Sequence, residues 1–208
     1  MIIKLEGKEQ IAIGKQNIAS IVVSAINFSQ YSKCYDERSR EMNKTLSDVL
    51  ATKAFLRARR NLQVKAFDEK GAAVVLDTTL ILQLPRSIFV RINDALDEDN
   101  GLPGEIISKG GDGLDIPIIY KLGSPFSFKS DDSEKIIEEL EFIAKTGGDI
   151  EEVLCGTTSI DQTISLIRCC ATPIGGDSGL QTLPSWMLDN LTLADGIEIM
   201  QKVLPIFV

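Results

Sequence analysis

The sequence predicts an α+β protein: a mixed α/β N-terminal domain with antiparallel hairpins, then a C-terminal β-hairpin plus a small helical bundle. Three observations carry that expectation. Phe126-Ser127-Phe128 alternates apolar and polar residues, turns through Ser130-Asp131-Asp132-Ser133 and returns along Ile136 to Phe142, as a half-buried hairpin does. Leu62 to Phe67 and Ala72 to Leu84 form a second hairpin pattern around Asp68-Glu69-Lys70-Gly71, with glycine where the turn needs a positive φ. Segments on either side place apolar residues at helical spacing.

In chain order, residues 2–5 and 11–13 read as two short strands joined by a Gly/Lys/Glu turn. Ile18 to Phe28 is apolar and β-branched, and its periodicity fits either a helix or a strand. Arg38 to Asn61 is helical. Thr45 with Asp48 three residues on has the form of a capping box, and Leu46, Val49, Leu50, Ala54 and Phe55 then recur at helical spacing. Lys53, Arg57, Arg59 and Arg60 load its C-terminal end, where cations suit the helix dipole. Pro85 opens a further helix to about Leu96, with Ile88, Val90, Ile92 and Leu96 facing the core. Asp97 to Asp115 is polar and glycine-rich, a connector and natural boundary, so the expected organisation is 1–96, a 97–117 connector and 118–208. After the hairpin come short helices over Asp149 to Cys155, Ser159 to Ala171 and Leu183 to Val208.

Composition narrows the chemistry. The 208 residues are 44% hydrophobic and 25% charged, enough for a real core. No histidine is present, which removes Ser-His-Asp and Cys-His nucleophile systems within the chain. Cys34, Cys155, Cys169 and Cys170 show no CxxC spacing and read as reduced core thiols of an intracellular protein. The N-terminus has no signal-peptide pattern, and no apolar run is long enough to span a bilayer. Residues 1–93 hold 15 Lys/Arg against 9 Asp/Glu, net +6, whereas 94–208 hold 7 against 21, net −14. That asymmetry implies attraction between the halves or partners of opposite charge.

Candidate chemical sites are few. Lys109-Gly110-Gly111-Asp112-Gly113-Leu114-Asp115 is neither a phosphate loop nor an EF-hand and reads as a turn before a strand at Ile116 to Lys121. An enzyme would have to rest on Asp112 and Asp115, with Asp131 and Asp132, around a divalent ion. A nucleic-acid binder would use Lys53 to Arg60, which lacks accompanying aromatic or glycine patterns. Gly175-Gly176-Asp177-Ser178-Gly179 has the composition of a serine-protease nucleophile segment, but without histidine it is a loop. Near the C-terminus, Thr192 precedes an acidic first turn at Asp195. Leu193, Ile197, Met200 and Leu204 then form one apolar stripe, widened by Ile199 and Val203 and preceded by Trp186 and Met187.

From Tyr120 onward the order is strand, hairpin with Leu140-Glu141-Phe142, helix at Asp149 to Leu154, helix ending Ile167-Arg168-Cys169-Cys170-Ala171, then Leu183 to Gly196 and a last helix ending Val203-Leu204-Pro205-Ile206-Phe207. This order resembles the tail assembly chaperones of Mu- and P2-like contractile-tailed bacteriophages, over about residues 118–208. The resemblance implies a non-enzymatic, cofactor-free and metal-free tail-morphogenesis protein in the host cytoplasm, or in the virion tail if retained. Its partners would be the tape-measure protein and other tail proteins, with a homo-oligomer as a further option and no membrane partner; the net charge of −8 argues against general nucleic-acid binding. The partner-binding candidates are Trp186, Met187, Leu193, Ile197, Met200 and Leu204. The alternative is a structural tail or baseplate subunit whose hairpin at 62–84 offers edge strands. The chain departs from the family in carrying roughly 115 residues of mixed α/β sequence ahead of the matching region.

Overall fold

A computed structural model describes residues 1–5, 11–13, 16–98, 100–108, 116–130, 133–174 and 188–208. The chain is α+β, with helices and antiparallel sheets. It divides into two compact units: residues 1–26 with 33–100, and residues 27–32 with 101–208.

The first unit is built on a four-stranded antiparallel sheet of order β1-β4-β5-β6, formed by β1 (Ile2–Lys4), β4 (Ser20–Val23), β5 (Val64–Phe67) and β6 (Ala73–Val74). β2 (Ile11–Ile13) and β3 (Gln16–Ile18) make a separate two-stranded pair. The two N-terminal strands therefore exist, but each finds another partner: Ile3 pairs with Ile21, and Ile11 with Ile18. Strand period 2 puts Ile3, Ile21, Ala66 and Val74 in one cross-strand row. That row is buried with Ile81 of α3 (Thr78–Leu82) and with Ile88, Ile92, Ala95 and Leu96 of α4 (Arg86–Glu98). Ile2 and Lys65, on the opposite face, are exposed. Of the hairpin expected over 62–67 and 72–84 only β5 and the two residues of β6 are strand, and residues 78–82 of the return arm are helical, opened by the Asp77 cap. The turn itself has Gly71 at φ +77°, and the Asp68 carboxylate accepts from the Lys70 and Ala72 amides. Val90, expected in the core, is exposed on the outer side of α4.

The helix expected over 38–61 is two helices, α1 (Phe28–Thr45) and α2 (Asp48–Gln63). The break falls at Leu46-Ser47. Ser47, rather than Thr45, caps α2 by accepting from the Leu50 amide, while Thr45 turns its hydroxyl back onto the Glu41 carbonyl. Leu46, Val49 and Leu50, which recur at helical spacing in the sequence, are exposed, because the break rotates them away from the face carrying Ala51 and Phe55.

The second unit has a four-stranded antiparallel sheet of order β10-β9-β8-β7. β8 (Ile118–Ser130) and β9 (Ser133–Phe142) form the expected hairpin; β8 unites the separately expected segments at 116–121 and 126–128 across an irregularity between Lys121 and Phe126. β7 (Glu105–Ser108), within the stretch expected as connector, pairs with β8, and β10 (Ala171–Ile174) with β9. Ile118, Tyr120, Leu140, Phe142, Ala171 and Pro173 share the buried face. The helical layer of this unit is α5 (Gly147–Leu154), α6 (Ser159–Cys170), α7 (Leu193–Glu198), a wide π turn over Ile199–Val203 and α8 (Leu204–Phe207). Reciprocal capping boxes start α5 at Thr146/Asp149 and α6 at Thr158/Asp161. Thr192 caps α7 by accepting from the Asp195 amide, as its sequence position implied.

The π turn alters the apolar stripe. Pro205 has no N–H, and its ring crowds the carbonyl four residues back. In the turn before it the Leu204 amide reaches five residues, to the Ile199 carbonyl. The extra residue turns the later side chains by roughly 100°. Ile199 and Val203, expected only to widen the stripe, are fully buried, and Leu193, Leu204 and Phe207 are buried as well.

Candidate protein interface

The partner-binding candidates separate into three groups. Leu193 and Leu204 are buried and belong to the core of the second unit. Ile197 and Met200 are half-buried, one helical turn apart, and keep part of their side chains in solvent. Trp186 and Met187 lie outside the described residues, as do Asp112, Asp115, Asp131, Asp132 and the glycine-rich segment at 175–179. Among the described residues no cluster of three His, Cys, Asp or Glu could hold a metal ion, and no helix is long and apolar enough to cross a membrane.

What holds this C-terminal surface in place is a buried carboxylate. Asp195 is fully buried and accepts from the Tyr120 hydroxyl at 3.1 Å, the Gly123 amide at 2.9 Å and the Thr192 hydroxyl at 2.8 Å. The Tyr120 oxygen in turn accepts from the Gly104 amide at 3.0 Å. Burial first, then the adjacent Asp195 charge, pushes the Tyr120 hydroxyl well above its ordinary range, so it stays a donor. The two glycines are steric necessities. A Cβ on Gly123 would stand 2.1 Å from the Leu102 carbonyl, and one on Gly104 2.0 Å from the Lys121 carbonyl. Gly196 lies against Phe28, whose amide donates to the Leu191 carbonyl while the Asn27 side chain donates to the Asp189 carbonyl. These contacts aim α7, and with it Ile197 and the turn that carries Met200. The Thr192 cap was visible in sequence; the bonds from Tyr120 and Gly123 were not, because they join residues 75 and 72 positions apart.

The cations over 53–60 divide: Lys53 and Arg57 are exposed, whereas Arg59 and Arg60 are drawn into the first unit. The Arg59 guanidinium is buried and donates to Asp97 at 2.8 Å, the Leu96 carbonyl at 2.7 Å and the Gln63 side chain at 3.1 Å. Arg60, also buried, donates to Asn93 and stacks over the Phe89 ring at 4.7 Å. Gln63 closes the network by donating to the Ser24 and Leu96 carbonyls. Two of the four cations are thereby spent inside the first unit, tying α2 to the end of α4.

The cysteines are all thiols. Burial pushes Cys34 up to about 11 and Cys170 up to about 12, and Cys169 also rises, chiefly by burial; Cys155 is exposed. Buried neutral thiols are poor nucleophiles and poor metal ligands.

The class defined by these features is an α+β chain of two units, each packing helices on one face of an open antiparallel sheet. Comparisons with protein-family models, curated proteins and solved structures each returned no match.

Proposed function

We propose that this chain is a non-catalytic phage or prophage tail-morphogenesis protein, acting as a tail assembly chaperone that covers apolar helices of the tape-measure protein. The observation that carries the reading is the position of Ile197 and Met200: half-buried apolar side chains three residues apart, one on the helix whose start is held by the buried Asp195 and one in the π turn that continues it. Apolar surface on a firmly oriented helix suits reversible burial of another amphipathic helix. The partner would be released when polymerising tube subunits offer a larger interface, and the acidic half of the chain would set the register of basic partner segments. A non-enzymatic role is supported by the lack of histidine and by the protonated state of the buried thiols.

The test is co-expression with tape-measure fragments encoded in the same genome, followed by size-exclusion chromatography. A fragment made soluble and co-eluting, with loss of both in a folded Ile197→Asp/Met200→Asp variant, supports the chaperone. A fragment that stays insoluble, or is held equally well by the variant, removes it. The structural-subunit reading has one observation of its own: β6 is a sheet edge and runs directly into the exposed Val75, a place where a partner strand could add. Mass spectrometry of purified particles separates the two, since only a structural subunit remains in them.

A further inference from the structure

The break between α1 and α2 carries a residue that neither the backbone nor the solvent favours. Leu46 has φ +52°, in the left-handed region where a Cβ crowds the backbone and helix ends ordinarily place glycine or asparagine. It is also 84% exposed, so no packing inside the fold repays that conformation. Met42 before it, and Val49 and Leu50 after it, are exposed as well. The two helices fold back on each other around this point: the Tyr35 and Phe55 rings meet edge-on with centroids 4.9 Å apart, and Arg38 bonds Asp48 at 2.5 Å. The four exposed apolar side chains thus lie within nine residues, 42 to 50, around the turn between the two helices.

The surrounding charge identifies what fits there. From Asp36 to Arg57 the chain carries five cations (Arg38, Arg40, Lys44, Lys53, Arg57) and four carboxylates (Asp36, Glu37, Glu41, Asp48). Glu37 is engaged by Arg40 and Asp48 by Arg38, while Lys44, Lys53 and Arg57 are exposed. A second copy is a poor occupant. Two-fold pairing would set these cations against their own equivalents, and four side chains fall far short of the roughly 800 Å² per partner that a stable dimer buries. An apolar cluster spanning about a turn on each side of the break matches the face of one amphipathic helix.

We propose that the α1–α2 tip is a docking site for a short amphipathic helix of a partner protein, apolar on one face and flanked by Asp or Glu, with Leu46 as its anchor. The docking uses only the first unit and stands apart from the reading of the C-terminal helix. A strained, exposed leucine is then explained by the partner that buries it, as anchor residues are.

The test uses the full chain and two labelled helical peptides that share one leucine seam, one flanked by Glu and the other by Lys, with affinity read by fluorescence anisotropy. Expected are binding of the Glu peptide at least about tenfold tighter than the Lys peptide, and weakening of that binding by salt. Leu46→Asn should reduce binding by at least about tenfold while leaving the melting temperature unchanged or raised, because asparagine tolerates the left-handed backbone. Equal binding of the two peptides, or binding of neither, overturns the proposal. So does a Leu46→Asn variant with a lowered melting temperature, since Leu46 would then be serving the fold. A dimer in sedimentation that Leu46→Asn dissolves would assign the tip to a second copy and overturn it as well.

Discussion

At Asp195 a carboxylate is held away from water by three donors, two of them on β8. Removing it leaves the buried Tyr120 hydroxyl and the Gly123 amide without their acceptor, and hydrogen bonds to a charged group are each worth about 1.5–3 kcal/mol. Asp195→Ala is expected to lower unfolding stability by about 3 kcal/mol or more in urea titrations, and Tyr120→Phe by about 1–2 kcal/mol. The thiols give a second expectation at this scale. Cys34 and Cys170 are raised from 9.0 to about 11 and about 12 in the fold. Above pH 9 the unfolded chain releases these protons while the folded chain retains them. Their contribution is complete below pH 9 and is lost as pH climbs through 11 to 12, so urea midpoints should fall over that window. The fall should be shallower in Cys34→Ala/Cys170→Ala. At neutral pH, iodoacetamide followed by mass spectrometry should mark the exposed Cys155 while Cys34 and Cys170 remain unmodified.

Among the elements, those whose start signals are local were readable in advance. Thr192 with Asp195 marks α7, Asp68 to Gly71 marks the β5–β6 turn, and the alternation from Phe126 to Phe142 marks the β8–β9 hairpin. The α1–α2 break was not, because Leu46 is a good helix former and Thr45-Leu46-Ser47-Asp48 contains two competing cap residues. The π turn was equally hidden: apolar residues at 193, 197, 200 and 204 fit an ordinary helix, and only Pro205 hints at a wider one. Caps and close approaches at this scale can be tested singly. Thr146→Ala and Thr158→Ala should each cost about 1 kcal/mol, the usual worth of an N-cap, with helix amides at α5 and α6 exchanging faster in deuterium. Gly123→Ala places a methyl 2.1 Å from the Leu102 carbonyl. It should cost at least about 1–3 kcal/mol and release protection along β8, measured in the same experiment.

For the molecule as a whole, the division into units does not follow the chain. Residues 27–32, which hold the first turn of α1, belong with 101–208, whereas the rest of that helix belongs to the first unit. Phe28 is fully buried there against Gly196. Phe28→Ala is therefore expected to remove about 3–5 kcal/mol from the second unit, the usual cost of truncating a buried Phe, while amide protection in β1, β4 and β5 of the first unit is unchanged. The result that would contradict this is loss of protection confined to the first unit.

What the sequence determined by itself is whatever depends on neighbours in the chain: the α+β class, hairpin turns, helix caps, the lack of histidine chemistry and the split of charge between halves. What only tertiary structure decided is which side chains face water. Ile197 and Leu193 belong to the same stripe in sequence, yet one remains half-exposed and the other is buried. Arg59 and Arg60 carry the same formal charge as Arg57 but are drawn inward by Asp97, Asn93 and Phe89, more than twenty residues away. Burial depends on contacts made across the fold, and periodicity along the chain records only that a face is apolar, not what comes to cover it.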